Sequence, residues 1–242
     1  MRSQKNGNTR LDKIENELTA VNIIRILKNN FLTYSEIAQL TGISSNLLSK
    51  YASGKTIPNK IKTERILRLA TTQWVISKVV QRIVYDYLNN DGAMNLMPDY
   101  LRLISIYFKF MCNNKNIDKV VTRVSPIAII AAYISNALNK PLVLVYDEKY
   151  TPGDFSIKVQ DEYREMLHVS KRVLKNDDRV IVFEENPSNI NRQILLYQLL
   201  LAAGAVVDRI FYLYSLNRSD VKKLMNILRL KNKNHIVILY EA

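Results

Sequence analysis

The chain has 242 residues, room for one large domain or two smaller ones with a real core. Its 48% hydrophobic and 24% charged residues exclude a wholly disordered chain, and its formal charge of +13 favours polyanionic partners. A single cysteine, Cys112, excludes an intrachain disulfide framework and a cysteine-rich zinc site, and no run of 18 or more apolar residues or signal-peptide core is present, so a cytoplasmic protein with no membrane contact is expected.

Residues 1 to about 10 read as a loose basic arm. From Leu11 to Leu27, apolar residues at Leu11, Ile14, Leu18, Val21, Ile24 and Leu27 predict an amphipathic helix that packs on the pair of helices next in the chain. The stretch Tyr34 to Tyr51, YSEIAQLTGISSNLLSKY, predicts two short helices joined by a turn. The first, opened by Thr33 or Ser35, carries Ile37, Ala38 and Leu40. Gly42 supplies the left-handed turn, and Ile43 tucks inward. The second, capped by Ser44 or Ser45, buries Leu47 or Leu48 together with Tyr51. Its exposed face is then Ser45, Asn46, Ser49 and Lys50, short polar and basic groups suited to base edges and phosphates.

Residues 60–70 predict a helix with Ile61, Ile66, Leu67 and Leu69 inward, and Thr71 to Leu88 another with Trp74, Val75, Val79, Val80, Ile83 and Leu88, a dimer seam or a connector. Asn89-Asn90-Asp91-Gly92 is a turn signal and sets the expected domain boundary, 1–90 and 91–242. The first part holds 14 basic and 6 acidic residues, net +8, and the longer second part 21 and 16, net +5. That asymmetry fits a phosphate-backbone footprint on the N-terminal part.

Beyond the boundary, helices are expected at Pro98–Cys112, Pro126–Leu138 (apolar almost all round, hence well buried), Asn189–Ala203 and Ser219–Leu228. Strands are expected at Lys119–Val124, Pro141–Tyr146, Glu165–Ser170, Arg179–Phe183, Val206–Tyr214 and His235–Tyr240. Asp147–Tyr163 reads as a long polar loop with room for a hairpin. Cys112 ends an apolar run and is expected buried, and His168 and His235 have no metal-ligand spacing, so no metal and no cofactor are expected. The alternation predicts an α/β fold: an N-terminal all-α helix-turn-helix domain followed by an open, mainly parallel sheet.

Two resemblances give these elements a meaning. Tyr51-Ala52-Ser53-Gly54-Lys55-Thr56-Ile57-Pro58 resembles the end of the recognition helix in Cro/phage-repressor helix-turn-helix domains, where YxxGxxxP is common. Arg179–Phe183 followed by Glu184-Glu185-Asn186-Pro187-Ser188-Asn189-Ile190-Asn191-Arg192 resembles the phosphoribosyl-pyrophosphate loop of type I phosphoribosyltransferases. Val173-Leu174-Lys175-Asn176-Asp177-Asp178-Arg179-Val180 is similar to that family's LKxGDRV lead-in, and Ala202-Ala203-Gly204-Ala205-Val206-Val207 to its xxAGAxVV. Val121–Ala128 resembles its pyrophosphate loop and following helix. The whole chain looks like an archaeal regulator in which a helix-turn-helix is fused to a phosphoribosyltransferase-like domain.

The departures from the family matter as much. The Thr-Thr-Gly-Gly-Thr type of loop, whose glycines open backbone N–H groups to the 5-phosphate, is replaced by Ser188, Asn189, Ile190, Asn191 and Arg192. Ser125-Pro126 replaces the glycine-rich part of the pyrophosphate loop. The long loop keeps Lys149 and Lys158, to which no role is assigned. The resemblance implies a dimeric transcriptional regulator whose C-terminal domain carries the dimerisation and does not catalyse; that domain either senses a nucleotide or other phosphate-bearing effector or, with its site decayed, survives as a dimerisation scaffold. The expected contacts with double-stranded DNA are Ser45, Asn46, Ser49 and Lys50, with Lys55 and Lys60 for phosphates. The expected ligand set is Glu184 and Glu185 for ribose hydroxyls, and Ser188, Asn189 and Arg192 for an anion. The alternatives are an active nucleobase phosphoribosyltransferase, and an architectural protein that coats DNA without sequence preference.

Overall fold

The computed structural model describes residues 9–90, 96–112, 115–147, 156–160, 166–228 and 235–241. The chain divides into two compact units, Met1–Val75 and Ile76–Ala242. That division lies upstream of the turn at Asn89-Asn90-Asp91-Gly92, whose last two residues fall outside the described segments.

The first unit is helical: α1 (Arg10–Asn30), α2 (Tyr34–Thr41), α3 (Ser45–Ala52), α4 (Lys60–Ala70) and the start of α5 (Gln73–Asn89). Its core gathers Ala20, Ile23, Ile24 and Leu27 from α1, Ile37 from α2, Leu48 and Tyr51 from α3, and Ile66, Leu67 and Leu69 from α4. Three of these helix starts, those of α1, α2 and α4, have a side-chain cap. Thr9 and Asp12 form a reciprocal capping box on α1, Thr33 and Glu36 another on α2, and Asn59 accepts from Lys62 N at 3.1 Å on α4. Several stripe residues that spacing assigns inward are exposed: Leu11, Ile14, Leu18, Leu40, Ile61, Trp74 and Leu88. Spacing identifies a face, whereas burial needs a neighbour to cover it, and in α1 no described residue before Ala20 is buried.

The second unit is α/β. Its elements after α5 are α6 (Pro98–Met111), β1 (Lys119–Arg123), α7 (Ala128–Leu138), β2 (Leu142–Val145), β3 (Ser156–Gln160), β4 (Met166–Ser170), β5 (Arg179–Glu184), α8 (Ile190–Ala202), β6 (Val206–Ser215), α9 (Arg218–Ile227) and β7 (Ile236–Glu241). Five strands form one sheet in the order β2-β1-β5-β6-β7, with every neighbouring pair parallel. β3 and β4 pair antiparallel in a separate ribbon, which touches the sheet through the Tyr146–His168 bridge. β5 is buried from Val180 to Glu184, as a central strand covered on both faces must be. Below it, Phe108 meets Phe183 edge-on at 5.8 Å and Phe211 at 4.6 Å. Helix α7 departs from the expected full burial: Ile129 and Tyr133 are exposed, so its apolar circumference is only partly covered by the described residues.

The segments that resemble the family's lead-in and AGA motifs meet in space. Asp177 N donates to Gly204 O at 2.8 Å, and Val206 N to Asp178 O at 2.8 Å. Gly204 has φ +74°, and a Cβ there would lie 1.9 Å from the Asn176 side chain. Asp177, at the position where the family motif carries glycine, keeps the left-handed backbone with φ 64°.

The topology places the site. From β1 the chain crosses through α7 to β2 on one side; from β5 it crosses through α8 to β6 and then β7 on the other. The winding therefore reverses between β1 and β5. In open α/β sheets the crevice at such a switch point, beyond the carboxyl ends of the strands, is where ligands bind.

Candidate functional site

Two places carry the residues singled out by the sequence. In the helical unit, α2 and α3 are joined by a turn whose geometry follows from three residues. Gly42 takes φ 66°, and its N–H donates to Ala38 O at 2.8 Å, closing α2. Thr41 turns its hydroxyl back onto Ile37 O at 2.7 Å and accepts from Ile43 N at 3.3 Å. Ile43 is then buried beside Ile37 and Leu48. Arg25 of α1 donates from Nε to Ala52 O at 2.6 Å and holds the far end of α3. Neither Thr41 nor Arg25 has a sequence signal beyond its residue type, and both were missed by pattern reading.

Of the expected caps, Thr33 serves α2. Ser44 sits at the cap position of α3 without a side-chain cap bond, and Ser45 instead donates its hydroxyl to Tyr34 O at 3.3 Å. The Ser45 hydroxyl thus links α3 to α2 rather than capping its own helix. Leu48, rather than Leu47, fills the core with Tyr51. Ser45, Asn46, Ser49 and Lys50 are all exposed on α3. Their spacing of one, three and one residues keeps them on one side of the helix. Lys55, in the turn after α3, and Lys60, the first residue of α4, are exposed as well.

The second place is the switch point. Arg123 ends β1 and Glu184 ends β5, so the sheet itself sets them side by side. Arg123 Nε donates to Glu184 Oε2 at 2.6 Å, its second guanidinium nitrogen lies 2.5 Å from the same oxygen, and its backbone N donates to Oε1 at 3.1 Å. Glu184 is 1% exposed. The carboxylate that the family resemblance assigns to ribose hydroxyls is therefore filled by an arginine of the same chain.

Glu185 is held in the same way. Tyr214 Oη donates to its Oε1 at 3.1 Å, Asn186 Nδ2 to the same oxygen at 3.0 Å, and Tyr87 Oη to Oε2 at 3.3 Å. Burial, then the Glu185 charge, pushes the Tyr214 phenol up to about 12 and raises that of Tyr87, so both remain donors at neutral pH. The loop beyond is tied down by side chains where the family uses glycines. Ser188 N and its hydroxyl both donate to Asn186 Oδ1, an Asx-type turn. Asn189 caps α8 by accepting from Arg192 N at 3.1 Å. Gln193 joins Tyr212 Oη (3.0 Å) to Asn186 O (3.2 Å). Arg192, expected to meet an anion, pairs with Asp147.

Each expected ligand residue thus lies at the tip, but each is engaged within the chain. Arg123, Tyr87, Tyr214, Asn186 and Asp147 are the partners that sequence reading passed over. Arg123 lay inside the segment matched to the family's pyrophosphate loop, and Asn186 inside the one matched to its phosphoribosyl-pyrophosphate loop. Lys149 lies outside the described residues; Lys158 is exposed on β3.

No protein-family model matches the chain, and no curated protein matches its sequence. Among solved structures, adenine phosphoribosyltransferase from Rhodothermus marinus aligns with a TM-score of 0.51 at 16% identity, covering 68% of this chain and 99% of that one. The Trypanosoma brucei adenine phosphoribosyltransferase, solved with AMP, pyrophosphate and ribose-5-phosphate, aligns with 0.52 at 19% identity, covering 60% and 65%. The Saccharomyces cerevisiae enzyme aligns with 0.50 at 16% identity, covering 67% and 98%. Likeness at this identity is one of fold. The chain is an N-terminal helical region joined to an α/β sheet of phosphoribosyltransferase-like fold.

Proposed function

We propose that this protein is a dimeric DNA-binding transcriptional regulator whose phosphoribosyltransferase-like domain does not transfer phosphoribosyl groups. The observation that carries the DNA reading is the division of labour on α3. Leu48 and Tyr51 are consumed by the core, while Ser45, Asn46, Ser49 and Lys50 stand together in solvent on the more basic part of the chain. Short polar groups reach base edges, lysines meet phosphates, and two copies would present two α3 helices to half-sites about one helical turn apart or a multiple of it. The loss of catalysis is supported by Arg123 occupying Glu184, and by a tip loop closed by Asn186 and Asn189 where phosphate binding needs open backbone N–H groups. A nucleotide or phosphorylated effector at this tip has to displace Arg123 from Glu184 or Asp147 from Arg192.

The test is genome-wide recovery of DNA on the purified protein at near-physiological salt. A few sharp, palindromic sites are expected; broad, sequence-blind recovery would replace a regulator with an architectural coater. A second reading, an active adenine-type phosphoribosyltransferase, is favoured by the fold likeness to adenine phosphoribosyltransferases. Pyrophosphate released from phosphoribosyl pyrophosphate with adenine or another common base would establish it and defeat the non-catalytic reading.

A further inference from the structure

Helix α1 is one continuous helix of 21 residues, yet its buried residues begin at Ala20 and none lies in 10–19. The Thr9–Asp12 capping box fixes where it starts, so the extra turns belong to the helix design. Within them Leu11, Ile14 and Leu18 are 77%, 42% and 51% exposed. Single exposed apolar residues are ordinary, but these three stand in one line. Their spacing of three and then four is the a-d-a order of a heptad, which fits another helix.

We propose that the N-terminal halves of α1 from two copies of this chain pair as a short parallel coiled coil. Neighbouring charges choose the mate and its direction. With Leu11 at a, Arg10 lies at g of the preceding heptad and Glu15 at e of the heptad that Leu11 opens. In a parallel pair, g of one chain faces the following e of the other, which sets Arg10 against the Glu15 of the second copy, twice by symmetry. The antiparallel arrangement that matches Ile14 with Leu18 brings Glu15 toward its own copy and Glu17 toward its own copy, like charge against like. Val21, the next d residue, is already buried in its own chain, so the seam ends there and the helices diverge into separate cores.

The seam rests on the two-copy part of the proposed function, which it deepens, and stands apart from the DNA part. It is tested by disulfide capture, because the chain's own thiol will not interfere: Cys112 is buried, and desolvation pushes its thiol up to about 11. In the full chain, Ile14→Cys sits at d against its symmetry mate, and mild oxidation should link two chains. Lys13→Cys, whose parent side chain is 62% exposed at the outward c position, should link at least tenfold more slowly. Equal rates at the two positions, or no link at Ile14→Cys while sedimentation shows a dimer, overturn the seam and leave the dimer standing. A monomer by sedimentation at working concentration overturns both.

Discussion

The α2–α3 pair and the β5–α8 tip are built on opposite plans. In the first, apolar residues do the structural work and leave a polar face to solvent; among the described residues, the side chains of Asn46, Ser49 and Lys50 have no hydrogen-bond or ion-pair partner. In the second, the polar residues are the structure. Glu184, Glu185, Asn186, Ser188, Asn189 and Arg192 are each bound by another residue of the chain. Chemical potential at a position is therefore a poor guide to function until its partners are known. A carboxylate pair at a switch point reads as a ligand site, and here both carboxylates are hydrogen-bonded by residues of the same chain.

The sharpest way to break that comparison is at Arg123. Arg123→Ala leaves the Glu184 carboxyl, 1% exposed, without its side-chain partner, and removing one member of a buried pair destabilises by about 3–5 kcal/mol. Denaturant unfolding of the full chain should show the transition of the α/β unit displaced by that amount. Arg123→Met with Glu184→Gln should recover most of it, because no charge is left behind. If the single variant unfolds like the parent, Glu184 is not held structurally and the site is open after all.

Gly42 is the matching stress on the other region. Its φ of 66° is left-handed, while a Cβ would lie 3.4 Å from the Arg65 guanidinium, an accommodating neighbour. The cost of Gly42→Ala is thus conformational, about 1–2 kcal/mol, read as an earlier transition of the helical unit. Asp177→Gly should act in the reverse direction. Restoring glycine at φ 64° relieves the same kind of strain, and a gain of about 0.5–1 kcal/mol in the α/β unit is expected. Loss of stability there would mean that the Asp177 side chain contributes more than its backbone costs.

These positions also mark how far the sequence could be read. The alternation of strands and helices, the turn at Gly42 and the paired motifs around Asp177 and Gly204 are local signals, and the elements they predict are present. The inward face of a stripe was legible in Leu48 and Ile66 but not in Leu11 or Ile61, because coverage depends on residues distant in sequence. The same limit hid the closure of the tip. Arg123 and Glu184 are 61 residues apart, brought together by the pairing of β1 with β5, and Tyr87 and Glu185 are 98 apart, brought together by the packing of α5. Sequence reading found the residues that resemble a site and could not find the ones that fill it.

Acid exposes a further difference between the regions. Glu36 is held below the usual carboxylate range by the hydrogen bonds from the Thr33 backbone and side chain. A depressed carboxylate gives stability that is complete above its unfolded pKa and is lost as pH falls through the folded one. The cap contribution to the helical unit should therefore fade on the acid side of the carboxylate range. Thr33→Ala should cost about 1 kcal/mol at neutral pH and less in acid. An equal cost at both ends would show that the Thr33 hydroxyl carries none of the linkage, which would then run through its backbone N–H alone.

The smallest expected effect bears most directly on the exposed face of α3. Lys50 lies at the solvent side of the helix, one turn beyond Asn46. If it meets a phosphate, its replacement by alanine removes one released counterion. The slope of the logarithm of the binding constant against the logarithm of salt should then flatten by about one unit. The loss should be nearly uniform across DNA sequences, because a phosphate carries no base identity. Asn46→Ala should do the converse: it should leave the salt slope in place and narrow the gap between specific and non-specific sites, since an amide reads base edges through hydrogen bonds. The pair of variants separates positioning from reading on one helix. An unchanged slope for Lys50→Ala would remove it from the phosphate contacts, and an unchanged specificity ratio for Asn46→Ala would move base readout to Ser45 and Ser49.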